Sequence, residues 1–141
     1  MKWFNNQVLD IKPLSGEELA GEISDNMYSM PKNESIFDYP EFVQTAYFLI
    51  DFDTELGMDG IFGILHNSIF ENIPEIIKSF ERIGDKKEAE LLSEIVNYAD
   101  NIGLNEKKIG ELGDGFYLYT GFDMWSLLFN YLDKEIENYN G

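Results

Sequence analysis

The chain has no cysteine, which removes disulfides, thiol catalysis and thiolate metal sites together and fits a reducing compartment. It has one histidine, His66, with no second histidine beside it and no activated serine in a recognisable setting, so triad chemistry has no constellation to work from. His66 reads as a helix-end residue. No stretch approaches the roughly 18 apolar residues of a membrane span, and the opening Met-Lys-Trp-Phe-Asn-Asn-Gln lacks the apolar run of a signal peptide. The expectation is a soluble, cytoplasmic protein.

Positive charge is the scarcest property. Ten Lys and Arg stand against 27 Asp and Glu, a net charge of −17. Between Lys32 and Lys78 no Lys or Arg occurs over 45 residues, which carry Glu34, Asp38, Glu41, Asp51, Asp53, Glu55, Asp59, Glu71 and Glu75. The deficit is therefore uneven along the chain, which points to a negative surface and a positively charged partner. Direct contact with nucleic acid or an anionic membrane is disfavoured by repulsion. The partner expected is a basic protein.

What is abundant is aromatic: 15% of the residues, with eleven Phe, eight Tyr and two Trp. That content argues against the disorder usual in strongly acidic chains, and 141 residues are enough for one domain with its own core. Helix punctuation recurs along the sequence. Ser15 and Glu18 form a capping box before Leu19, Ile23 and Met27. Asp38 and Glu41 repeat that spacing around Pro40 and open a helix over about 40–56, with a shorter apolar segment, Ile61 to Leu65, capped by Asp59. Asn72, Pro74 and Glu75 open a third helix, ended by Gly84. Asp85 and Glu88 open a fourth, to Gly103. Residues 103–115, with four glycines, read as a loop holding a short turn around Lys107 to Leu112. Phe116 to Thr120 reads as strand-like, and Asp123 caps a last helix to about Tyr139. The class is mainly α, a single domain of about five to seven helices with at most a minor β element.

The carboxylates have bland readings as well as functional ones. Taking Asp51 as the first position of an EF-hand loop, glycine is needed where Leu56 stands, and a regular helix scatters alternate acids around its circumference. The glycines around Gly57 to Gly63 follow no strand and precede no Lys-Ser or Lys-Thr, so a phosphate loop is disfavoured. At 100° per residue Asp53 falls among Phe42, Ala46, Leu49 and Leu56, and reads as a structural, partly buried acid, whereas Asp51 and Glu55 point away. Asp51, Glu55 and Asp59 are spaced four apart, about 6 Å per step along a helix. Such like charges disfavour the helix by a few tenths of a kcal/mol per pair, and no lysine relieves them. Asp133 and Glu137 sit near the end of the last helix, where the dipole favours cations.

A compact domain of this length is about 35 Å across, and a duplex that long carries about 20 phosphates, similar to this chain's excess charge. The segment Glu55-Leu-Gly-Met-Asp-Gly-Ile-Phe-Gly-Ile-Leu-His-Asn67 resembles the E-V-N-N-G-G-F-x-Q-F-F-x-N signature of a bacterial family typified by a double-stranded-DNA mimic. Glu55, Gly60 and Asn67 match it position for position, while Gly57, Met58 and Asp59 stand where that family has Asn, Asn and Gly. Ile76 to Leu92 is similar to the family's next block. The likeness covers about residues 41–100, with a weaker likeness of the last helix, and leaves a 35-residue N-terminal extension unexplained. It implies a mostly helical, dimeric domain without catalytic residues; no cofactor or metal is expected from the residues.

The function expected is therefore an acidic protein-binding module, a DNA mimic that covers the basic surface of a DNA-binding protein through Asp51, Glu55, Asp59, Glu71 and Glu75, extended by Asp133 and Glu137. Two alternatives stand beside it. One is an immunity protein that inhibits a nuclease toxin, and the other is a metal-dependent hydrolase using the Asp51 to Asp59 carboxylates.

Overall fold

The computed structural model describes residues 1–66, 68–116, 118 and 123–140. Its axis is the helix α2, Glu41–Ile64, whose first twelve residues carry apolar side chains around most of the circumference. Phe42, Val43, Ala46, Phe48, Leu49, Ile50 and Phe52 are all buried, a pattern that fits a helix enclosed by neighbours and not one lying on a surface. Against it pack α1 (Gly16–Asn26), α3 (Ile73–Arg82), α5 (Glu106–Gly113) and α6 (Met124–Asn138), and α4 (Lys86–Asn101) packs on α3 and α5. A two-stranded antiparallel hairpin, β1 (Lys2–Trp3) and β2 (Gln7–Val8), precedes them. Among the described residues this makes six α-helices and one minor sheet, the mainly α class read from the sequence.

Local chemistry sets the order of packing. Asn5 and Asn6 take positive φ at the hairpin tip, a conformation asparagine tolerates, and turn Trp3 and Phe4 inward. Phe4 stacks on Tyr39 at 4.7 Å. The Tyr39 hydroxyl donates to Glu34, which Lys2 also reaches at 3.2 Å. The Ser15 and Glu18 capping box is formed, and α1 then lies along α6. Gly16 allows that approach, since a Cβ there would meet the Phe129 carbonyl. Its N–H donates to the Asp133 carboxylate at 2.6 Å, an anion placed at a helix N-terminus.

Helix α3 runs back along α2, so Arg82 at its end reaches Glu41 at 3.4 Å and the Thr45 hydroxyl at 3.4 Å. Gly84, at φ +86°, ends it, and Asp85 caps α4 by accepting from the Glu88 N–H. In the core Phe52 meets Phe80 and Phe116 edge to face at 5.6 and 5.5 Å, and such pairs contribute about 0.5–1.5 kcal/mol each beyond burial.

Four local expectations change. The first part of α2 does not stop near residue 56; it runs on to Asp59, and the separate apolar segment expected from Ile61 follows the kink at Gly60, whose φ of +68° and ψ of 172° leave helical geometry. Asp38 does not help open α2. It closes a capping box with Ser35 on the 3-10 turn Ile36–Asp38, and α2 starts after Pro40 with no side-chain cap. Asn72 precedes α3 without a capping hydrogen bond. The expected loop at 103–115 contains α5, because Asn105 accepts from the Lys108 N–H and Ile109 is fully buried. Of the strand-like reading at residues 116–120, Phe116 and Leu118 are described and neither lies in a strand, while the other three residues lie outside the described residues, as does Asn67 of the resemblance.

Candidate functional site

The nine acids of the base-free stretch meet different fates once the chain folds. Glu34, Glu41 and Glu75 are joined by bases from elsewhere in the sequence: Lys2 at 3.2 Å, Arg82 at 3.4 Å and Lys78 at 3.6 Å. Asp38 accepts from the Ser35 N–H. Asp51 overturns the orientation given by the helical wheel. It is 5% exposed and accepts from the Tyr28 hydroxyl at 2.7 Å, because the 3-10 turn Met27–Ser29 after α1 covers that side of α2. A wheel drawn for one apolar stripe fails where another element covers the helix's polar side. Asp53, expected to be the structural acid of α2, is half-buried.

The distal half of α2 keeps Glu55, half-buried, and Asp59, exposed, in line with Asp51 at one-turn intervals. Their charges act on one another. The Glu55 carboxyl is pushed up from its ordinary value first by burial, then by its contact with the Asp59 carboxyl and by the negative charges of Asp51 and Asp59. Burial also raises Asp51, partly offset by the Tyr28 hydrogen bond. The Tyr28 hydroxyl in turn is held well above its usual range by burial and by Asp51.

Beyond Asp59 the row opens onto a groove of about 600 Å³ between the end of α2 and α5. Leu56, Ile61, Phe62 and Phe116 supply its apolar floor, and Asp59, Glu106 and Asp114 stand around it. The break at Gly60 turns the chain here, and Gly113 lets α5 pack against Ile61, which a Cβ would strike. His66 closes the helix end, its Nδ1 2.9 Å from the Phe62 carbonyl and its ring on Phe62. Glu106 and Asp114 were missed in the sequence because the glycines around them masked α5; the signal was Asn105 as cap with Ile109 and Leu112 three residues apart.

The remaining nominated residues separate. Glu71 is exposed on the 3-10 turn Ser68–Asn72, which packs against α2, and Glu75 at the start of α3 is half-buried with Lys78. Asp133 and Glu137 lie on α6, which packs along α1. Asp133 is committed to the Gly16 N–H, while the Glu137 and Ile136 carbonyls accept from Lys12. Among the described residues no group of three or more His, Asp and Glu is placed to hold a metal ion. None of their helices is long and apolar enough to cross a membrane.

Neither the curated proteins nor the solved structures include a match to this chain. One family model does match, that of DMP19-like protein, over residues 37–140. It reaches past the 41–100 core of the sequence resemblance to take in α5 and α6, and it begins after the segment that forms the hairpin and α1. Covering most of the chain, the match establishes that this protein belongs to the DMP19-like protein family.

Proposed function

We propose that this protein is an anionic binding module that occupies the basic surface of a DNA-binding protein in place of DNA, in an intracellular setting. The observation that carries the reading is the row of Asp51, Glu55 and Asp59 at one-turn intervals, where burial and the neighbouring acids raise Glu55, leading to a groove rimmed by Glu106 and Asp114. Like charges at that spacing disfavour the helix by a few tenths of a kcal/mol per pair, and a cationic partner would offset that cost. Membership of a family typified by a DNA mimic supports the same reading. The face is narrower than the base-free stretch, since Glu34, Glu41 and Glu75 are spent on ion pairs and Asp51 serves as a buried support. Glu55 and Asp59 are its contact residues, and it acts by binding, not catalysis.

The test is capture of a basic DNA-binding protein from lysate by the immobilised chain, identified by mass spectrometry. Duplex DNA and salt should each release it, because the two would compete for one cationic surface. Replacing Glu55 and Asp59 together by Lys should abolish capture while the circular dichroism melt persists. Capture unaffected by duplex DNA would remove the mimic reading, and a captured nuclease would select the inhibitor alternative.

A further inference from the structure

A second surface lies away from that row, where α3 and α4 run antiparallel. Ile77 on α3, half-buried, faces Ala89, buried, and Ser93, half-buried, on α4. Small side chains on successive turns of α4 leave a depression of about 630 Å³ over this floor. Its edges carry Glu81 from α3 and Glu90 and Glu94 from α4, all exposed, with Lys86 at one end and Asn97 at the other. Among the described residues none of those three carboxylates takes part in an ion pair.

The geometry points to this groove as a docking site for a basic amphipathic helix of a partner protein, and we propose it as such. Its length fixes the size of the occupant. Lys86 and Asn97 are eleven residues apart, about 16 Å along α4, which matches about three turns of a guest helix. An apolar stripe at i, i+3/i+4 and i+7 would rest on Ile77, Ala89 and Ser93, with Lys or Arg on either flank meeting Glu81, Glu90 and Glu94. A second copy of this chain is the wrong guest. Among the described residues none of the six α-helices carries a net positive charge: α3 and α5 have two bases and two acids each, and the others are net acidic. The site shares with the α2 face only the sign of the partner's charge and stands if that face binds nothing.

The probe is a synthetic 14-residue peptide with leucines at helical spacing and lysines elsewhere, titrated into the isotope-labelled full chain. Amide shifts should concentrate at Ile77, Ala89 and Ser93, and affinity should exceed that of a scrambled peptide of the same composition by about tenfold. Glu81→Gln, Glu90→Gln and Glu94→Gln together, exposed changes checked by circular dichroism, should cost about tenfold. Ser93→Trp, which fills the groove, should do the same, while Glu55→Gln with Asp59→Gln should leave this binding intact. Equal binding of the scrambled peptide, shifts mapped elsewhere, or indifference to the groove variants would each overturn the proposal. So would self-association abolished by Ser93→Trp, which would make a second copy the occupant.

Discussion

Asp51 is an acid that sequence placed outward and packing placed inward, and its position sets how the protein should respond to pH. Asp51, Glu55 and Asp85 are all raised in the folded state, each first by burial. The folded chain thus holds protons that the unfolded chain releases at its ordinary carboxylate values, 3.8 for Asp and 4.5 for Glu. Stability from these groups is fully present below those values and is lost as pH rises through the folded ones. Self-repulsion at a net charge of −17 acts in the same direction. The melting temperature should therefore be higher at pH 5 than at pH 7.5. Asp51→Asn keeps an acceptor for Tyr28 and removes the desolvated charge, so it should raise the pH 7.5 melting temperature by a few degrees and flatten the pH dependence. A melting temperature that climbs from pH 5 to 7.5 would contradict the assignment.

At the scale of elements, the readable signals were those whose cause is local, and the misread ones depend on what packs from afar. The Ser15, Asp85 and Asp123 caps, the Gly84 stop and the start of α6 all appear where the spacing put them, because each rests on hydrogen bonds between residues three or four apart. Helix α5 was hidden because Gly110 and Gly113 lower helix propensity, although Gly113 is required where Ile61 approaches. The orientation of Asp51 was hidden because its partner, Tyr28, belongs to another element 23 residues earlier. Glycines can be told apart by experiment on this basis. Gly60 sits at φ +68° and ψ 172°, a region open almost only to glycine, so Gly60→Ala should destabilise by about 1–3 kcal/mol and disturb the groove it lines. Gly21 lies inside α1 with nothing within 4 Å of a would-be Cβ, so Gly21→Ala should stabilise by about 0.5–1 kcal/mol. Denaturant melts of the two variants moving in the same direction would refute this distinction.

For the molecule as a whole, the segment before the family match is part of the core and not an appendage. The family model begins at residue 37, yet Trp3, Phe4, Ile11, Leu19, Ile23 and Met27 are each 2% exposed or less. Helix α1 closes the surface of α6, Tyr28 covers Asp51 on α2, and the stack of Phe4 on Tyr39 seals the entry to α2. Burying a large apolar side chain contributes about 1.5–3 kcal/mol, so six of them together with the faces they cover are comparable with a typical domain stability of about 5–15 kcal/mol. Removing residues 1–35 should therefore leave a chain without a cooperative thermal transition, with exposed apolar surface that binds a hydrophobic dye. The full chain should melt in one step by far-ultraviolet dichroism and by near-ultraviolet signals from Trp3 and Trp125. A truncated chain that still melted cooperatively within a few degrees of the full one would mean that residues 37–140 form a complete core and that the hairpin and α1 only decorate it. The interface of α1 with α6 gives an independent check. Gly16→Ala, which drives a methyl into the Phe129 carbonyl, should cost about 1–3 kcal/mol if α1 is integral, and close to nothing if it is not.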